Sequence, residues 1–146
     1  MILADVAQTE AAGAALAAVA QIGDVIALSG PLGAGKTALA RGFIRALGFN
    51  GDVPSPTFAL VVPYAPPEVR TPVTHVDLYR IEDQDEFAEL GLDEARATSI
   101  LLVEWPERLR SRLWTDALQI SLAPEGSGRC LTAQVPPSWE GRWPLP

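Results

Sequence analysis

The residues Gly30-Pro31-Leu32-Gly33-Ala34-Gly35-Lys36-Thr37 carry the clearest chemistry in the chain. Their spacing is that of G-x-x-x-x-G-K-[ST]. In such a loop the glycines let backbone amides turn inward around a phosphate chain, the lysine adds positive charge and the hydroxyl reaches a magnesium ion. Lys36 is the only lysine, beside ten arginines. Arginine cannot replace a compact ammonium in a tight phosphate cradle, so the one departure from the chain's arginine habit falls where the chemistry asks for it.

A magnesium-bound nucleotide also needs a carboxylate to hold the metal or its waters. Two acids end apolar runs: Asp77 follows Val73-Thr74-His75-Val76, and Glu104 follows Ile100-Leu101-Leu102-Val103. The second has the layout of a Walker-B strand. Either acid could instead simply cap a strand end. His75 is the only histidine. Inside an apolar run it reads as a packed structural residue, and no chemistry is assigned to it. No guanine-reading N/T-K-x-D segment accompanies the loop, which tilts the base toward adenine.

The elements that must position these groups follow from periodicity. An alanine-rich stretch over 9–22, closed by Gly23, predicts a helix. A buried strand over 25–28 leads into the phosphate loop, and 36–47 places Leu39, Phe43 and Leu47 on one helical face. A proline-shaped segment over 53–57 contains Thr57 and precedes a strand over 58–62 and a loop with Pro63, Pro66, Pro67 and Pro72. Strands over 73–76 and 99–103 flank a short acidic helix over 83–90. Two alternating runs, 117–122 and 130–135, form a hairpin. The expected fold is three-layer α/β of the P-loop kind: a mixed, mainly parallel sheet flanked by helices, with antiparallel edge strands and a C-terminal hairpin. Residues 1–135 read as one domain, and 136–146 as an extended Pro/Trp-rich tail in which Trp139 and Trp143 fold back.

A chain of 146 residues, 48% hydrophobic, can bury a substantial core, and no apolar run reaches the length of a membrane span. The N-terminus lacks the pattern of a secretory signal, so the expected compartment is the cytoplasm. Cys130 is the only cysteine, which leaves no intrachain disulfide. The net charge of −7 argues against a large surface clamping a nucleic-acid backbone, so any contact with RNA would run through a partner.

GPLGAGKT at 30–37, SPTF at 55–58, HVDLYR at 75–80 and VEWPERL at 103–109 together resemble the TsaE-type ATPase family, formerly YjeE, of bacterial tRNA threonylcarbamoyladenosine biosynthesis. The resemblance spans nearly the whole chain, although Ala38 stands where many members carry a second threonine. It implies ATP and Mg2+ as cofactors. It also implies association with the threonylcarbamoyl transferase subunit and its dimeric partner, and hydrolysis that resets that complex between turnovers. On matching positions, Leu32, Gly33, Ala34, Gly35, Lys36 and Thr37 would hold the phosphates, with Thr37 and Glu104 on magnesium. Asp77 would position water or metal ligands, and Thr57 would act as a switch sensing the γ phosphate. Thr9 would lie near the adenosine, although a helix N-cap accounts for it equally well. Gly128 and Arg129 would close over the base, with a plain turn as the alternative reading. A small-molecule kinase and a nucleotide-sensing regulatory switch are the competing functions.

Overall fold

The computed structural model describes residues 1–57 and 59–146. The strands are β1 (Ile2–Leu3), β2 (Val25–Ser29), β3 (Val61–Tyr64), β4 (Val73–Asp77), β5 (Ile100–Glu104), β6 (Leu118–Glu125) and β7 (Gly128–Gln134). The helices are α1 (Val6–Ala17), α2 (Lys36–Ala46), α3 (Glu86–Glu89) and α4 (Leu92–Thr98), with 3₁₀ segments at Pro106–Arg112 and Pro137–Trp139.

All seven strands join one sheet in the order β1-β7-β6-β2-β5-β4-β3. The contacts β6/β2, β2/β5 and β5/β4 are parallel, and β1/β7, β7/β6 and β4/β3 are antiparallel. The expected mixed sheet with antiparallel edges is what forms. β4 and β5 are buried along their whole length, as near-continuous apolar runs in a parallel sheet should be. Two apolar cores lie on opposite faces. One contains Leu16, Leu39, Phe43 and Ile44 of α1 and α2, and the other contains Phe87, Leu92 and Leu109 beside Val76 and Val103. These two helical layers around one sheet make the three layers.

The first helix is displaced from the expected 9–22. Asp5, not Thr9, is its N-cap: the Asp5 carboxylate accepts from the Gln8 amide at 2.9 Å. Thr9 lies one turn inside, fully buried, its hydroxyl donating to the Asp5 carbonyl at 3.0 Å. The N-cap reading of Thr9 is therefore wrong. Gly13 and Gly42 explain how α1 packs so closely on α2. A Cβ at Gly13 would overlap the Leu39 carbonyl, and one at Gly42 the Glu10 carbonyl.

Other boundaries move as well. β3 begins at Val61 and takes in Pro63, which had been expected in a loop. β3 is an edge strand, where proline costs no central ladder bond. The first part of the expected strand, Phe58, falls outside the described residues. The acidic helix shortens to Glu86–Glu89, and α4, unforeseen, follows at once. The tail turns back in a 3₁₀ segment and buries Trp139 completely among residues of the α1/α2 core.

Candidate functional site

β2, β5 and β4 all point their C-terminal ends at the same place, because parallel pairing sets Leu28 against Glu104 and Glu104 against Asp77. The phosphate loop leaves β2 there and enters α2. Gly35 caps α2 with φ 107°, a left-handed conformation that disfavours a side chain. Its missing Cβ also admits Arg129 of β7, whose Nη1 would stand 2.7 Å from such an atom, and the methyl of Thr9 at 3.5 Å. Gly30 is equally constrained, with φ 145° and the Leu122 carbonyl where a Cβ would go. The first turn of α2 carries no acidic residue and no side-chain cap, so its amides and positive dipole end remain available to an anion.

Lys36 is only 5% exposed. Its Nζ donates to the Gly30 carbonyl and lies 3.7 Å from the centroid of the Trp105 ring. Burial holds its ammonium below the usual 10.5, against the opposing pull of Glu104, Glu107 and Asp77. Trp105 reaches this position from a backbone at φ 60°, and its ring also packs 4.8 Å from that of Tyr79.

The acids arrive as two hydroxyl–carboxylate pairs. Thr37 Oγ1 lies 3.2 and 3.4 Å from the two Glu104 oxygens. Thr57 Oγ1 donates to Asp77 Oδ2 at 2.9 Å and shares a 2.7 Å hydrogen bond with Ser55. The other Asp77 oxygen accepts from the Tyr79 amide at 2.8 Å. These are hard oxygen donors, the set that a magnesium ion carrying nucleotide phosphates prefers.

A cleft of about 360 Å³ joins these groups. Leu32, Gly33, Gly35, Lys36, Thr37, Thr57, Asp77, Glu104 and Arg129 line it. Ala34, Thr9 and Gly128 do not. Ala34 is buried behind the loop and Thr9 beneath Gly35, while Gly128 packs on the Leu3 carbonyl. Arg129 brings a buried Nε that finds no hydrogen-bond partner among the described residues.

Sequence reasoning missed two contributors. Tyr79 contributes an amide to Asp77 and a ring to the cleft wall. His75, assigned no chemistry, places Nε2 2.7 Å from Glu104 Oε2. A signal was present: residues two apart on a strand share a face, so H-x-D puts His75 beside Asp77.

The family model described as "Threonylcarbamoyl adenosine biosynthesis protein TsaE" matches residues 3–131. The tRNA threonylcarbamoyladenosine biosynthesis protein TsaE of Bacillus subtilis is 40% identical over 120 residues, covering 82% of this chain and 73% of that protein. The protein of the same name from Streptomyces coelicolor is 40% identical over 111 residues, 75% of each chain. Among solved structures, the crystal structure of Bacillus subtilis YdiB superposes with a TM-score of 0.81 at 30% identity, covering 97% of this chain and 88% of that one. With a phosphate loop of the right geometry and a family match over most of its length, the chain belongs to the TsaE family.

Proposed function

We propose that this protein is an ATPase of tRNA threonylcarbamoyladenosine biosynthesis, acting in the cytoplasm. In this reading its Mg-ATP cycle resets a threonylcarbamoyl transferase subunit and that subunit's dimeric partner between turnovers. The observation that carries the proposal is the meeting of Lys36, Thr37, Thr57, Asp77 and Glu104 at one end of the parallel strands, with the N-terminus of α2 facing the same cleft. The names of the 40%-identical relatives supply the pathway.

The residues divide the work by their chemistry. The loop from Leu32 to Thr37 cradles phosphate oxygens, and Lys36 exchanges the Gly30 carbonyl for the β and γ phosphates. Thr37 and Glu104 would hold the magnesium or its waters, and the ion would supply neutralising charge to the phosphate oxygens. Asp77 orients the attacking water, and Thr57, bonded to Asp77, reports whether the γ phosphate is present. Arg129 closes the side of the cleft against Gly35, and Thr9 and Gly128 support that wall from behind. The tRNA is reached only through the protein partners, in keeping with a net charge of −7.

Calorimetric titration with ATP and magnesium tests the site. Losing the charged donor in Lys36→Ala should weaken binding about 10- to 100-fold or more. An unchanged affinity would remove the phosphate-loop assignment.

A further inference from the structure

His75 is fully buried in the middle of β4, with apolar Val62 and Leu102 as its register partners on the two neighbouring strands. A polar ring in such a place costs free energy unless its nitrogens are satisfied. Only one is: Nε2 meets Glu104 Oε2 at 2.7 Å, while Nδ1, also buried, has no partner among the described residues. An ionised carboxylate only accepts, so Nε2 carries the proton of this bond. A leucine or valine would fill the space without leaving Nδ1 unsatisfied. The histidine is therefore explained by what it does to Glu104.

We propose that His75 is a positioning residue that sets the orientation of the Glu104 carboxylate at the magnesium site. The carboxylate stands between two elements, with Thr37 Oγ1 of α2 3.2 Å from Oε1 and 3.4 Å from Oε2, and His75 of β4 holding Oε2 at 2.7 Å. Pinning Oε2 to the sheet fixes the plane of the carboxylate, with both oxygens near Thr37 Oγ1 at the edge of the cleft. With that bond removed, the side chain could rotate about its terminal torsion, which is broad and costs little to turn. Asp77, two residues along the same face, is bonded instead to Thr57, so β4 serves both acids from one side: its histidine holds Glu104 and its aspartate faces the proline-shaped segment. Groups that orient a metal's ligands typically change metal affinity 10- to 100-fold when removed, although they never touch the metal.

The inference rests on the reading of Glu104 as a magnesium-orienting acid, and the test separates the two. ATP affinity is measured by calorimetry with magnesium and with a chelator, on the wild type, Glu104→Gln, His75→Met and His75→Gln. Methionine and glutamine are unbranched and similar in length, so they share any packing loss. Only glutamine offers an N–H to Oε2. In H75M the gain in affinity that magnesium brings should shrink by about 10- to 100-fold, and H75Q should recover most of it. If H75M matches the wild type while E104Q loses the gain, His75 has no positioning role and Glu104 keeps its own. If E104Q matches the wild type, the Glu104 reading falls and takes this inference with it. Equal losses in H75M and H75Q, with and without metal, would mark His75 as a packing residue and overturn the proposal. Were H75M to unfold, H75Q against H75N carries the same comparison, since asparagine holds an amide too short to reach Oε2.

Discussion

Lys36 is held where its charge is costly until a phosphate arrives. Its lowered pKa, caused first by burial, means that the unfolded chain binds this proton more tightly than the nucleotide-free folded protein does. The cost is full below the lowered value and is relieved as pH rises from there toward 10.5, so in that window Lys36 makes unfolding free energy increase with pH. Denaturant titrations of wild type and Lys36→Met should show this rise only in the wild type, and parallel curves would contradict it. A second residue-scale expectation concerns Thr57, whose hydroxyl is one of the few partners of the buried Asp77. Thr57→Val should cost about 1–3 kcal/mol of stability and abolish any preference for ATP over ADP, both readable by thermal melts with each nucleotide. Lys36, Thr37 and Glu104 were legible in the sequence because motif spacing and a strand end point to them. His75 was legible only in part, since its spacing shows the face shared with Asp77 but not the partner Glu104 across the sheet, and Tyr79 was not, because it reaches Asp77 through its backbone amide.

At the scale of elements, the placement of the phosphate loop depends on α2 packing directly on α1. Gly42 removes the side chain that would keep them apart, so Gly42→Ala pushes a methyl into the Glu10 carbonyl. A loss of about 1–3 kcal/mol in denaturant unfolding is expected. The same variant should weaken nucleotide binding, because α2 starts at Lys36. Wild-type stability in this variant would show that the helices can part without cost. α2 itself could be read closely from Leu39, Phe43 and the terminating Gly48. α1 could not: its many small alanines leave only a weak amphipathic pattern to fix its phase, and the true cap, Asp5, stood before the expected start. β1 is two residues long and exists only through pairing with β7, which no local pattern announces.

Across the whole molecule, the C-terminal tail ties the ends of the fold together. Trp139 is fully buried in the α1/α2 core, and the Arg142 guanidinium lies 4.1 Å from its ring centroid. Arg142 also grips Asp24 with two bonds of 2.6 and 2.7 Å and the Val19 carbonyl at 2.9 Å, securing the turn between α1 and β2. Trp139→Ala should therefore cost about 3–5 kcal/mol by denaturant unfolding, and a loss below about 1 kcal/mol would mean that the tail only rests on the surface. The folding back of the two tryptophans was foreseeable from their size and apolarity. The arginine clasp on a residue 118 positions earlier was not.

The direct test of the whole account is a reconstituted tRNA modification reaction containing the transferase subunit and its dimeric partner, followed beyond the first turnover. Modified tRNA should keep accumulating only when this protein and hydrolysable ATP are both present, and Lys36→Ala should stop the reaction after the first cycle. Equal accumulation with and without the protein would contradict it.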